Sequence, residues 1–351
     1  MNAREIKIAN INSWFALDYH GIVKFGEYET KQRRNTRFQL LAEGLKDLNA
    51  DIIGIQEANK LPQYAKHLAQ ILAYDTLWKI ENSGVRILGY GFPLNFIAGN
   101  VILARRGYGL KAIKTGRSAR LSGKGIQTDY FSVHFSEMRS VMAAKINIDG
   151  HALMVLNTQL HYSLLEDQNW KTELENMGQK NEITPEGKQA LLDQIQQGQK
   201  RTASEIQQLN QFIRNLSAKV NLPYILMGDF NTTVESEAMQ KLITDLKLLD
   251  PYRIKNPMKK GYTWDPVINP NAGYDGSAFF ADALTPKDSL RKLKALFDRR
   301  TPRRVDFVFL SHHFTSDMIK EAKLIFSRPL NDLFVSDHFG VLVVLKDLPS
   351  P

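Results

Sequence analysis

Short apolar runs alternate along this chain with stretches of helical periodicity, and the apolar runs end repeatedly on a polar residue. Runs rich in Ile, Val, Leu and Phe and bounded by Gly, Asp or Asn predict strands at 6–12, 51–56, 98–104, 140–148, 152–160, 224–229, 304–310 and 340–346. Many of these lie close enough in sequence to pair antiparallel. Phe38, Leu41, Leu45 and Leu48 recur at helical spacing and predict a helix over 34–48, and further helices are predicted over 61–73 and 236–246. The stretch 164–216 differs, being Gln-rich and poor in β-branched residues. In it Thr184-Pro185 reads as an N-cap followed by a first-turn proline, and Ile206, Leu209, Ile213 and Leu216 make one apolar stripe, which predicts a helix packed on a sheet. Residues 164–181 read as an excursion, and a Gln-rich helical insertion is placed at about 164–205 of a single domain covering 1–351. Neither a repeat nor an interdomain linker is visible.

The polar residues that end the runs carry the candidate chemistry. In Tyr224-Ile225-Leu226-Met227-Gly228-Asp229-Phe230-Asn231 a glycine turn presents a carboxylate and a carboxamide two residues apart, on one face of an extended segment. An ionised Asp229 can orient and deprotonate an attacking water, while the Asn231 amide can donate to the oxygen on which charge develops. Other runs supply Asn10 and Asn12 in Ile8-Ala9-Asn10-Ile11-Asn12, Glu57 after Ile52-Ile53-Gly54-Ile55-Gln56, Asp306 in Arg304-Val305-Asp306-Phe307, and Asp337-His338 after Phe334-Val335-Ser336. A carboxylate such as Glu57 at a strand end is either a capping or surface residue or the ligand of a divalent ion. An imidazole such as His338 is either a hydrogen-bonded core residue or, with a buried Asp on one nitrogen, a tautomerically fixed and more basic group.

These blocks, in this order over roughly residues 6–346, resemble the endonuclease/exonuclease/phosphatase superfamily of metal-dependent phosphoesterases related to deoxyribonuclease I. The resemblance implies an α+β fold, a two-layered β-sandwich flanked by helices in four layers, α/β/β/α, with the active site at one end of the sheets. It implies a Mg²⁺-dependent phosphoric ester hydrolase that attacks a phosphodiester with activated water, Mn²⁺ being able to serve as well. Glu57 becomes the main metal ligand, assisted by Asn10, and Asp337 either supports a second ion or is structural. Asp306 and His338 become the carboxylate–imidazole pair, and water activation falls to Asp229 or to His338. Asn12 becomes a group that orients substrate or ligand. Arg139, in Phe135-Ser136-Glu137-Met138-Arg139-Ser140, matches an Arg that contacts substrate phosphate, a task its planar fork suits; an ordinary salt bridge is the alternative.

One position departs from the family pattern. Where its phosphodiesterases commonly read Thr-His-Leu, this chain has Asn157-Thr158-Gln159-Leu160-His161, and a Gln cannot protonate a leaving group. Either His161, expected to share a strand face with Gln159, supplies the imidazole, or Gln159 binds phosphate only, or specificity has moved.

Charge and composition narrow the partners. No run approaches the ~18 apolar residues of a membrane span, and no signal peptide is visible, which leaves a cytoplasmic protein or one exported without a recognisable signal. With no cysteine among 351 residues, disulfides and Cys-ligated zinc are excluded and hard oxygen ligands are favoured. The formal net charge of +9 suits an anionic partner, whether nucleic acid, phosphoinositide or an anionic membrane surface, and basic residues gather at 31–37, 105–124 and 291–304. Asn10-Ile11-Asn12-Ser13-Trp14 and Gly261-Tyr262-Thr263-Trp264-Asp265-Pro266-Val267-Ile268-Asn269 resemble segments of the neutral and bacterial sphingomyelinases, which points to a phospholipid phosphodiester. The competing readings are an endo- or exonuclease acting on DNA or RNA, then a phosphoinositide phosphatase, then a binding protein whose catalysis has lapsed.

Overall fold

The computed structural model of the chain describes residues 4–15, 30–82, 85–87, 90–92, 97–113, 118–127, 131–134, 136–163, 168–180, 183–272 and 301–349. One sheet places the parallel neighbours β1 (Ile6–Asn12) and β2 (Ile52–Asn59) at its centre, with all its other pairings antiparallel. Outward from β1 lie β16 (Gly340–Leu345) and β15 (Ile319–Ile325); outward from β2 lie β6 (Ala98–Arg105) and β3 (Tyr74–Asn82). The facing sheet repeats the device: β12 (His151–Gln159) and β13 (Tyr224–Asp229) are parallel, flanked by β14 (Asp306–Leu310) and β11 (Arg139–Ile148). The short β7 (Lys111–Ala112) and β8 (Ser118–Ser122) both pair with β11. A small third sheet joins β5 (Tyr90–Phe92), β4 (Val85–Ile87), β10 (Phe131–His134) and β9 (Gly125–Gln127).

Three apolar clusters separate four layers. Side chains alternate along a strand, so Ile8 and Ile52 of the first sheet meet Val155, Ile225 and Val308 of the second in a core between the sheets. The opposite face of the first sheet, with Ile11, Ile53 and Leu103, packs on Leu41 and Leu45 of α1 (Lys31–Leu48) and Leu68 of α2 (Gln63–Leu72). The opposite face of the second sheet, with Leu226, Phe307 and Phe309, packs on α4 (Pro185–Val220) and α5 (Glu237–Leu246) through Ile206, Leu209, Ile213, Leu216 and Leu242. Each such cluster removes apolar area from water at about 25 cal/mol per Å², and together they produce the α/β/β/α architecture expected from the motif resemblance.

The helix signals hold locally. Thr30, Thr184 and Ser236 cap α1, α4 and α5, each side chain accepting from a backbone N–H of the first turn, and Pro185 stands in the first turn of α4. The Gln-rich stretch contains α3 (Gln168–Gln179) and then α4, whose 36 residues continue without a break past the predicted insertion boundary at 205; 164–167 and 181–182 of that stretch lie outside the described residues. A short α6 (Pro251–Lys255) and the strands β3 and β15 have no counterpart in the hydrophobic pattern. β3 and β15 form the two edges of the first sheet, where charged residues such as Lys79, Lys320 and Lys323 are tolerated and the apolar run disappears. Among the described residues no helix is long and apolar enough to cross a membrane.

Candidate active site

At one end of the sandwich the faces that look between the sheets change from apolar to polar. Along β1 the inward series Ile6, Ile8 continues as Asn10 and Asn12; along β13 Ile225 and Met227 lead to Asp229; along β14 Leu310 and Val308 lead to Asp306. Strand register aligns Gln159 with Asp229 and Asp229 with Asp306, so these three form one row across β12, β13 and β14. The approach of β12 to β13 requires Gly228, because a Cβ there would lie 2.3 Å from the Thr158 carbonyl oxygen.

Asp229 is the hub of the row. Its Oδ2 accepts from the amides of Asn12 at 3.0 Å, Asn231 at 3.1 Å and Gln159 at 3.3 Å, while its Oδ1 accepts from the backbone N–H of Asn231 at 3.0 Å. Burial raises its pKa and the nearby Asp306 adds to that, against His338 and these donors. Asn231, in the left-handed region at φ 49°, also donates to the Leu160 carbonyl at 2.9 Å. Both hydrogens of its amide are therefore committed to protein acceptors, and in this arrangement Asn231 positions Asp229 instead of presenting a donor to a substrate oxygen.

His338 and Asp306 form the expected pair, Nδ1 to Oδ2 at 2.8 Å, both buried. Burial opposes the imidazolium, but Asp306, Asp337 and Asp229 together hold the pKa of His338 well above its ordinary value. The segment 261–269 supports this pair. Thr263 Oγ1 accepts from the N–H groups of Val305 at 3.0 Å and Asp306 at 3.1 Å, its carbonyl accepts from Phe339, and the Trp264 ring meets the edge of His338 at 4.9 Å and 74°. Asn269 donates to the Ser336 carbonyl, and Ser336 Oγ bonds the Asn12 carbonyl at 2.6 Å, which joins the end of β1 to the Ser336-Asp337-His338 loop. Asp229, Asp306 and His338 each offer one ligand atom, and these atoms lie within 4.8 Å of one another, close enough to hold one metal ion. Asp306 Oδ1 is buried with no protein partner, an orphaned oxygen that a hard cation would satisfy.

Glu57 adjoins this cluster. A register shift between Ile55 and Ala58 and a left-handed φ of 58° take it out of the strand alternation, so that it reaches the site from the end of β2. Its Oε1 accepts from Gln159 at 2.6 Å and its Oε2 from the Phe15 N–H at 3.2 Å; burial raises its pKa. Gln159 thus bridges Glu57 and Asp229 with its amide nitrogen while its oxygen accepts from Arg139 at 2.7 Å. Arg139 in turn pairs with Glu137 and lies 3.8 Å from Glu81, whose pKa burial pushes up to about 7. His161 is not on the strand with Gln159, because β12 ends at Gln159. Its Nδ1 instead contacts Glu137 Oε2 at 2.6 Å and its N–H bonds the buried Glu205, so it joins Gln159 only through Glu137 and Arg139. Burial works to raise Glu137, but Arg139, His161 and Arg201 overcome it and hold this carboxyl well below the ordinary range.

Two further expected metal residues flank the three-group cluster. Asn10 lies one step deeper than Asn12: its Oδ1 accepts from Gln56 and its amide donates to the Gly228 carbonyl, so it ties the two sheets together. Gln56 extends the same tie to Asn157 at 2.6 Å. Asp337 is buried outside the three-group cluster, its Oδ1 accepting from Ser336 at 3.2 Å, and burial together with the charge of Glu57 pushes it up to about 7 against the pull of His338. Among the described residues the basic stretches reach different parts of the molecule. Arg37 is buried and donates to the carbonyls of Ser13, Trp14 and Val335, and Arg105 pairs with Asp51 at the opposite end of β2. Arg303 lies 5.4 Å from the Trp264 ring and 5.6 Å from Tyr162, while 291–300 fall outside the described residues. Sequence reasoning missed Thr263, Ser336, Glu81 and Glu205 as parts of the site; Thr263 and Ser336 stood inside quoted motifs, whereas Glu81 and Glu205 carry no local signal.

No protein-family model and no curated protein matches the chain at the level of sequence. Solved structures do match. A Bacteroides thetaiotaomicron protein of the endonuclease/exonuclease/phosphatase family superposes with a TM-score of 0.54 at 17% identity, covering 97% of this chain and 95% of that one. A mannosyl-6-phosphatase of the same organism gives 0.53 at 16% identity over 96% and 98%, and D. rerio TDP2 complexed with a single-strand DNA product gives 0.50 at 14% identity over 97% and 98%. The architecture is that of the deoxyribonuclease-I-like α+β sandwiches. The chain has the fold of the endonuclease/exonuclease/phosphatase superfamily, as its motif order implied.

Proposed function

We propose that the protein is a divalent-metal-dependent phosphodiesterase that hydrolyses its ester with an activated water. The observation that carries this reading is the convergence of Asp229, Asp306 and His338 at the polar end of the inter-sheet face, with Glu57 one Gln159 amide away. Asp229 orients and deprotonates the water, its carboxylate held in one position by its N–H donors. His338, kept cationic beside Asp306, donates from Nε2 to the phosphoryl oxygen on which charge develops. Glu57 and the carboxylates of the cluster would hold Mg²⁺ or Mn²⁺, which when bound neutralises phosphate charge and acidifies water. The family name of one fold relative and the phosphatase name of another support ester hydrolysis at phosphorus.

A phospholipid phosphodiester is the second reading, and one observation favours it: Val267 and Ile268, 73% and 57% exposed, project from the segment that supports His338. The test is one panel of methyl p-nitrophenyl phosphate, single-stranded DNA and sphingomyelin vesicles, each with Mg²⁺, Mn²⁺ or EDTA. Turnover of at least one diester that EDTA abolishes is expected. Equal rates in EDTA, or no turnover of any diester, would contradict the proposal.

A further inference from the structure

Beside Glu57 a cavity of about 430 Å³ opens between α1, α2 and the loop after β1. Its volume falls inside the roughly 300–1,000 Å³ range of small-molecule sites. One wall is aromatic: Phe38 of α1 meets Tyr64 of α2 edge-on at 5.0 Å and 77°, and stacks on His67 at 5.0 Å and 25°. Phe15, whose backbone N–H bonds Glu57, continues the lining on the side of the catalytic cluster. Basic side chains complete it, with Lys31 and Arg34 from α1 and Lys60 from the loop after β2. The sole carboxylate of the lining among the described residues is Glu57 itself, already bonded to Gln159 and Phe15.

This lining selects among esters. A cationic headgroup such as choline is held by aromatic faces with nearby negative charge, and here the charge near the rings is positive. A flat heteroaromatic ring linked to phosphate fits both halves of the lining, because rings stack on rings and phosphate pairs with Lys and Arg. Resting on the phosphodiesterase reading above, we infer that this cavity is the specificity pocket for a nucleotide unit, whose base lies against Phe38, Tyr64 and His67 and whose adjoining phosphate meets Lys31 and Lys60 while the scissile phosphate lies at Asp229 and His338. The substrate class is then a nucleic acid strand or a nucleotide diester.

Two arms test this. In the first, kcat/KM is measured for the 3′-p-nitrophenyl ester of thymidine 3′,5′-bisphosphate, whose 5′-phosphate can reach Lys31 and Lys60, and for methyl p-nitrophenyl phosphate, which has nothing to place in the pocket. The nucleotide ester should be preferred about tenfold or more, and His67→Ala and Lys31→Ala should each reduce that ratio several-fold. A ratio near one, a ratio that neither variant changes, or faster turnover of sphingomyelin than of the nucleotide ester would overturn the inference while leaving phosphodiester hydrolysis intact. In the second arm AMP is titrated calorimetrically into wild type and the same variants. Binding that both variants weaken about fivefold or more supports the pocket even where no ester turns over, an outcome that counts against the hydrolytic reading alone. Absent binding, or binding unmoved by both variants, overturns the pocket.

Discussion

Thr263→Val removes one oxygen from the support of the His338–Asp306 pair and leaves the side-chain shape almost unchanged. In the wild type that oxygen accepts from two backbone N–H groups, those of Val305 and Asp306, and Thr263 and both donors are buried. Leaving a buried donor unsatisfied costs about 1–3 kcal/mol, so two of them place the loss at about 2–6 kcal/mol, with the lower half expected if β14 relaxes. The same N–H anchors the residue whose carboxylate holds His338 at 2.8 Å, so kcat should fall by more than stability alone explains. Urea unfolding followed by tryptophan fluorescence, with Trp264 next in sequence, measures the first effect; initial rates on methyl p-nitrophenyl phosphate under folding conditions measure the second. Thr263→Ser keeps the acceptor and should recover most of both. A Thr263→Val protein within about 0.5 kcal/mol of wild type, well under the cost of one orphaned donor, would refute the reasoning.

Further outcomes follow from the buried charges. Glu81 has a folded-state pKa of about 7 against an ordinary 4.5, so on its account stability falls as pH rises between those values, by at most about 3–4 kcal/mol at about 1.4 per unit; Glu81→Gln should flatten that part of the urea-stability profile, and parallel profiles would dispose of the assignment. Gln56→Leu, which breaks the tie between Asn10 and Asn157, should destabilise by about 1–3 kcal/mol in the same assay, and an unchanged midpoint would show the tie to be idle. If His161 protonates a leaving group, His161→Ala should slow an alkyl diester far more than a p-nitrophenyl ester; equal losses would remove it from the mechanism.

The candidate row was legible as polar residues that end apolar runs, and the motif resemblance joined Asp229 and Asp306 in one site; the structure joins them by period-two alternation, since a polar residue that continues an inward apolar series faces the other sheet. Two departures from that period escaped the reading. Glu57 reaches the site through a register shift and a left-handed φ, and Arg139 through a shift between Arg139 and Ser140, and neither irregularity has a sequence signal here. Asn10 and Asn12 share a face and differ in depth along β1, which a pattern of faces does not encode. His161 was expected on a strand that ends two residues earlier, and its partners Glu137 and Glu205 come from distant parts of the chain. The edge strands β3 and β15 were missed because half-solvated strands carry lysine and glutamate where central strands carry valine.

The central claim is that the polar end of the inter-sheet face is a hydrolytic centre. Its most direct test is the rate at which Asp229→Ala and His338→Ala, shown by circular dichroism to be folded, hydrolyse methyl p-nitrophenyl phosphate in saturating Mg²⁺ or Mn²⁺. Loss of proton transfer or of charge stabilisation lowers turnover by about 10² or more, and that is the result predicted for each variant; near-wild-type rates in either folded variant would contradict the account.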